Sequence, residues 1–277
     1  MFSLLALASS LVWGTSDFVA GVKAKTHPAA AVVGWSQAVA LLATSIAVLF
    51  RSPHFAAGDW PLWAALAGAS GSSALVCFYA ALSTGTMGVV APIASLGVLV
   101  PVVLGVLEGE APSALTWLGI LVAIVGVLLA SGPELDGRVS RRPVVLACAA
   151  GAGFGITLYA IDRGSAHSVL NTMWGMRLTS AVMFLAAALW LRKAGGMRWA
   201  DAPVLVFVGL ADLTANILFG LASSKGMVSV ASVLGSLYPV ITAALAYAVL
   251  HERLRPVQIA GAAATVAGVV LIAAGSA

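Results

Sequence analysis

Charge is what this chain lacks most. Only 9% of its 277 residues are Asp, Glu, Lys or Arg, where soluble domains carry about 25%. Hydrophobic residues make up 61%, and the mean hydropathy is +1.05. Too little polar surface remains to cover a water-soluble core, so the composition excludes a soluble globular protein and indicates an integral membrane protein. Cysteine is almost absent. Cys77 and Cys148 both fall in apolar segments and are expected to be small buried residues, neither a disulfide nor a metal site. The four histidines (His27, His54, His167, His251) all lie between apolar segments. His251-Glu252 opens like a zinc motif, but Arg255 stands where the second histidine would be, so the H-E-x-x-H pattern fails. No P-loop and no Gly-x-Ser-x-Gly are present. These absences argue against an enzyme and against a metal or other cofactor. The net charge of +4 sits in short loops. It suits a membrane surface and gives no support for nucleic-acid binding. The opening MFSLLALASS lacks the basic stretch of a signal peptide, so it is expected to remain as the first span.

What the chain has in abundance is long apolar runs. A helix needs about 20 apolar residues to cross the hydrocarbon core. Ten segments qualify, at about 3–22, 28–50, 60–82, 86–107, 113–131, 143–161, 169–191, 202–223, 227–250 and 257–274. A β-barrel would instead show short alternating strands. The expected fold is therefore an all-α, multi-pass membrane protein of ten transmembrane helices.

The chain also repeats itself. At an offset of 141, Gly14 meets Gly155, Phe18 meets Tyr159, Gly34 meets Gly175 and Gly68 meets Gly209. Phe78 meets Phe219, Ala81 meets Ala222, and Ser95-Leu96 meets Ser236-Leu237. After a one-residue slip, Glu110, Gly119 and Gly126 fall on Glu252, Gly261 and Gly268. A constant register across both halves points to a duplication, with one repeat over residues 1–135 and the other over 142–277. Five spans per repeat is an odd number, so the halves must enter the membrane in opposite directions. Inverted repeats are a design of secondary transporters, with the substrate site near the midplane between them.

At this point the chain resembles a known family. It is similar to the drug/metabolite transporter superfamily, in its ten-helix EamA-type branch. The features that carry the likeness are the five-plus-five architecture and Trp13-Gly14 in the first span, echoed by Phe154-Gly155. The helix-end acidic motifs LEGEAPSALTWLGILVAIVG and LHERLRPVQIAGAAATVAG, and SLYPV at 236–240, belong to it as well. In the first half Gly97 takes the place of Pro239, with Pro101 four residues on. The resemblance implies export or exchange of small solutes, through a cavity lined by spans 1–4 and 6–9, with spans 5 and 10 peripheral.

Orientation has two indications. Ten basic residues (Lys23, Lys25, Arg138, Arg141, Arg142, Arg192, Lys193, Arg198, Arg253, Arg255) fall on one side and three (Arg51, Arg163, Lys225) on the other. The positive-inside rule then places both termini outside the cytoplasm. The resemblance implies cytoplasmic termini, and the charge count is preferred here. The expected location is the cell (inner or plasma) membrane.

Three charged residues lie well inside spans: Asp17, Arg177 and Asp212. An ionised group in hydrocarbon costs about 2.5–3.5 kcal/mol on insertion scales, and such groups usually face a cavity or one another. Depth along spans 7 and 8 makes Arg177–Asp212 a plausible pair, whose bland reading is a structural brace. Asp17 is then left without a cation and becomes the candidate for proton coupling, a role that small four-helix relatives give to a first-helix carboxylate. Around these charges, Trp13, Gln37, Tyr79, Ser95, Tyr159, Trp174, Asn216 and Tyr238 are candidates to line the cavity, since rings and amides can hold an amphipathic ligand. Trp60, Trp63, Trp117, Trp190 and Trp199 sit at span ends and read as interfacial belts. Glu110 and Glu252 read as helix-end braces, and Gly119, Gly126, Gly261 and Gly268 as sites of close helix packing. Pro92, Pro101 and Pro239 are candidate hinges.

The sequence therefore points to a secondary transporter working by alternating access. It would export a small polar or amphipathic metabolite, amino-acid-like, with possible coupling to protons. The rival readings are multidrug or cation efflux and a carrier of lipid-like amphiphiles. Its partners would be a small-molecule substrate, the bilayer and protons, and it would act as a monomer or homodimer.

Overall fold

The computed structural model describes residues 2–50, 55–85, 87–109, 113–135, 141–192, 195–251 and 256–275. Helices and short turns make up the described residues, with no strand among them. In hydrocarbon a backbone must satisfy its own N–H and C=O groups, and a helix does so within one run. The helices are α1 (Phe2–Ala24), α2 (Ala29–Phe50), α3 (Trp60–Thr84), α4 (Met87–Ser95), α5 (Leu99–Leu107) and α6 (Ala114–Leu135). They continue as α7 (Arg142–Ser165), α8 (Val169–Leu191), α9 (Ala202–Ser223), α10 (Val228–Gly235), α11 (Tyr238–Leu250) and α12 (Pro256–Gly275). Pro61, Pro143, Pro203 and Pro239 fall in first turns, where a missing N–H does no harm.

Among the described residues, eight stretches are long and apolar enough to cross a membrane. They are α1, α2, α3, α7, α8, α9 with the turn before it, the α4–α5 pair and the α10–α11 pair. The apolar stretches within α6 and α12, Ala114–Gly126 and Ile259–Ile272, are shorter.

Both broken helices break for the same reason. Pro101 has no N–H for the carbonyl of Gly97, and Pro239 has none for that of Gly235. Accordingly α4 passes into α5 through a 3₁₀ turn at Leu96–Val98, and α10 passes into α11 at Ser236-Leu237. The breaks fall at the matched Ser-Leu pairs of the two halves.

Helix packing is reciprocal under exchange of the halves. α1 packs on α9 as α7 packs on α3, and α1 on α10 as α7 on α4. α2 meets α8, and α6 lies along α12 in the most extensive contact of all. Glycine explains the last. A Cβ on Gly119 would sit 2.6 Å from the Gly268 carbonyl, and one on Gly268 would sit 2.6 Å from the Gly119 carbonyl. Gly126 approaches the Gly261 carbonyl in the same way, at 2.8 Å. Only residues without a side chain let the two backbones come this close.

Helix ends fall on two faces. On one, Lys23 pairs with Asp201, and His27 Nε2 lies 3.4 Å from the same carboxylate. On the other, Arg163 pairs with Glu108, and His167 Nε2 lies 2.7 Å from Asp59 Oδ1. The α4–α11 contact, at the Lys23 face, is more extensive than its counterpart between α5 and α10.

Two expectations change. Cys148 is exposed on α7, not buried, because its position faces away from the helices that α7 packs on. Trp60 is buried, with its indole donating to the Ala56 carbonyl at 2.8 Å and its ring stacked on Phe55, so it is a packed residue and not part of a belt. Trp117, Trp190 and Trp199 are exposed. Glu110 and Glu252 lie outside the described residues, as do Arg51, Arg138, Lys193, Arg253 and Arg255.

Candidate functional site

The site begins where α1 lies against α9. Small hydroxyls let these helices close up: Ser9 Oγ donates to the Ala215 carbonyl at 2.9 Å and Ser16 Oγ to that of Val208 at 3.3 Å. Gly14 goes further, since a Cβ there would stand 2.6 Å from the Tyr238 carbonyl. The broken α10–α11 segment is thereby drawn against the middle of α1. Thr242 Oγ1 holds it, donating to the Gly14 carbonyl at 3.1 Å.

Asp212 on α9 is the hub of a buried polar network. Trp13 Nε1 donates to its Oδ1 at 3.3 Å and Asn216 Nδ2 to the same oxygen at 3.0 Å. Gln37 Nε2 donates to Oδ2 at 3.2 Å. Arg177 Nη2 lies 3.1 Å from Oδ2, close in distance but off the axis of its N–H. Arg177 Nη1 in turn donates to Gln37 Oε1 at 2.5 Å. The guanidinium is wholly buried, so the carboxylate supplies the countercharge that makes its burial tolerable. Helices α1, α2, α8 and α9 are tied together through this one carboxylate.

Asp17 on α1 is different. It is also buried, at 6% exposure, but its side chain is held by Tyr79, whose Oη donates to Oδ1 at 3.2 Å. That donor is neutral. No lysine or arginine pairs with Asp17 among the described residues.

Both carboxylates line one open cavity, with about 560 Å³ of atom-free space when the open space at its mouth is counted. Its wall comes from both halves: Trp13, Asp17, Gly71 and Leu75 from α1 and α3, Phe154, Thr157, Leu158 and Met176 from α7 and α8. Asp212 and Asn216 add from α9, and Gly235, Ser236 and Tyr238 from the α10–α11 break. The Tyr238 hydroxyl is buried without a hydrogen-bond partner. Its ring meets Phe78 edge-on, 6.1 Å between centroids.

Of the residues singled out from sequence, Trp13, Asp17, Asp212, Asn216 and Tyr238 line this cavity. Gln37, Tyr79 and Arg177 stand behind it as buried partners of the two carboxylates. Ser95, Tyr159 and Trp174 lie elsewhere. Ser95 Oγ turns back to the Pro92 carbonyl of its own helix at 2.7 Å. Tyr159 binds Glu108 and Arg163 at the helix ends, with Trp63 edge-on to its ring. Trp174 donates to Ser45 Oγ at 3.2 Å and packs against Phe55. Sequence reasoning passed over Gly71, Leu75, Phe154, Thr157, Leu158, Met176, Gly235 and Ser236 as lining. Some of these carried a signal, because Phe154 matches Trp13 in the repeat, Leu158 matches Asp17 and Ser236 matches Ser95.

A helical chain of two matched halves, enclosing an acidic cavity within its apolar bundle, defines a multi-pass membrane transporter. The chain belongs to the EamA-like transporter family, whose model matches residues 1–132 and again 141–274. No curated protein matches it. It is similar to a solved structure described as "Crystal structure of protein", at 17% identity and a TM-score of 0.77, over 99% of this chain and 98% of that one. At that identity the likeness is one of fold.

Proposed function

We propose that this protein is a secondary active transporter, an exporter of a small amphipathic metabolite that is amino-acid-like in size and carries an amino group. It works by alternating access. Ten spans form two inverted five-helix repeats, 1–135 and 142–277, which rock about the central cavity. The observation that carries this reading is the cavity itself. It is lined from both halves, it touches the α10–α11 break, and it holds two carboxylates that hydrocarbon would otherwise reject. The reciprocal packing of α1 on α9 and α7 on α3, and the crossed glycine contacts of α6 and α12, support a two-fold relation between the halves.

Asp17 is the proton-coupling residue. Asp212 has Arg177 as its counter-ion and is committed to the network, whereas Asp17 faces the cavity with a neutral tyrosine as its partner. Proton and substrate then compete for the same carboxylate, and competition of this kind couples their movement. The basic face, with Lys23, faces the cytoplasm of the cell membrane, and the termini lie outside. On that assignment the more extensive α4–α11 contact is the closed inner gate of an outward-facing state. The breaks at Leu96–Val98 and Ser236-Leu237 are the hinges.

A flux assay in proteoliposomes tests the reading. Saturable uptake of amino-group-bearing metabolites, raised by an imposed pH gradient, supports it. Conductance without saturation would indicate a channel instead.

A further inference from the structure

The charges around the cavity are unequal. Of its two carboxylates, Asp212 is matched by Arg177, and Asp17 has no counter-ion among the described residues. Among the described residues, no lysine or arginine lines the cavity. Beside Asp17 in the wall stands Tyr238, more than nine-tenths buried, with a hydroxyl that has no partner. A buried polar atom left unsatisfied is uncommon and calls for an explanation. Aromatic faces (Trp13, Phe154, Tyr238) and apolar side chains make up most of the remaining wall.

We propose that the cavity is a binding site for a protonated amine with an apolar or aromatic body, held by the Asp17 carboxylate and the free Tyr238 hydroxyl, and that it excludes ligands carrying their own carboxylate. The inference rests on the transporter reading and narrows its substrate class. An ammonium supplies the positive charge that Asp17 lacks. Its N–H groups are donors, and the Tyr238 oxygen, which has no partner, is an acceptor on a residue of the same wall. The ring faces attract a cation in addition. A free amino acid would bring a carboxylate as well. The guanidinium that might receive it does not line the cavity: Arg177 is wholly buried behind the wall, with Nη1 on Gln37 and Nη2 beside Asp212, so that second charge would be buried without a partner.

Equilibrium binding to the purified full chain tests this with four probes that share one aromatic body: 2-phenylethylamine, phenylalanine, 3-phenylpropionate and phenyltrimethylammonium. The amine is expected to bind at least about tenfold more tightly than phenylalanine or the anion. Tyr238→Phe should weaken the amine about three- to tenfold and leave the quaternary cation, which has no N–H, unchanged. Asp17→Asn should weaken both cations, and Asp17→Glu should restore binding in part. The wild-type comparison needs no variant, so a misfolded mutant does not blunt the test. Phenylalanine binding as tightly as the amine, or no binding of the amine by folded protein, overturns the proposal. Failure of the wider reading looks different: the amine binds but does not cross a proteoliposome membrane. A chain that carries phenylalanine yet does not bind the amine refutes this inference and leaves the transporter reading standing.

Discussion

Asp17 and Leu158 occupy matched positions in the two halves and face the same cavity from α1 and α7. The scaffold tolerates an apolar residue at one of these positions and an acid at the other. Asp17 is therefore an asymmetric addition to a nearly symmetric frame, and its removal should leave the frame standing. Asp17→Asn should shift thermal stability by no more than about 1–2 kcal/mol, since the variant gives up little beyond one hydrogen bond from Tyr79. Thermal denaturation in detergent checks this, and a large drop in stability would assign Asp17 to packing.

Arg177 and Asp212 should behave in the opposite way. Arg177→Gln or Asp212→Asn leaves one wholly buried charge without its partner, a destabilisation of about 3–5 kcal/mol. Removing both should recover much of that stability, because the desolvation penalty disappears with the second charge. A double-mutant cycle in which the two effects simply add would show that the pair is not coupled.

The α6–α12 packing makes a prediction about size. Gly119→Ala puts a methyl group 2.6 Å from the Gly268 carbonyl, so the helices must separate, at about 1–3 kcal/mol. Gly235→Ala meets Trp13 at 3.4 Å, an ordinary distance, and should be near neutral. Melting temperatures of the two variants should differ clearly. Equal behaviour would mean that the close approach is not what holds α12.

Asp59 predicts a pH dependence on the face that carries Arg163. The hydrogen bond from the Trp63 indole, first, and the His167 interaction hold its carboxyl below the ordinary value near 3.8. Folding lowers this pKa, so the folded state binds fewer protons there than the unfolded state. The stabilisation is therefore fully present above the ordinary value and disappears as pH falls through the depressed one. The stability difference between wild type and Asp59→Asn should be present at neutral pH and shrink below about pH 4. A difference that grows in acid would contradict the assignment.

The helices were legible because hydropathy alone decides them: the ten apolar segments overlie observed helices, of which eight stretches among the described residues are long and apolar enough to cross a membrane. The repeat was legible because glycines and aromatic residues keep their register. Asp17, Arg177 and Asp212 were legible because charge within a span is rare. Which way the neutral side chains point was not. In α8 lipid-facing and protein-facing residues are equally apolar, so its periodicity does not distinguish Trp174, which packs on Phe55, from Met176 two residues later, which lines the cavity. Ser95 is matched with Ser236, yet only Ser236 borders the cavity. Both breaks pack on the matched glycines, Gly14 of α1 and Gly155 of α7, so the repeat register does not tell the two serines apart.

The most direct test of the account is solute-driven proton movement in proteoliposomes, read by a trapped pH-sensitive dye, for wild type and Asp17→Asn side by side. Substrate added to wild-type vesicles should drive a saturable pH change inside them, and Asp17→Asn should abolish that change while the variant remains folded. An equal pH change in both would contradict proton coupling at Asp17. Flux that continues unaltered in Asp17→Asn would remove the cavity carboxylate from the transport path altogether.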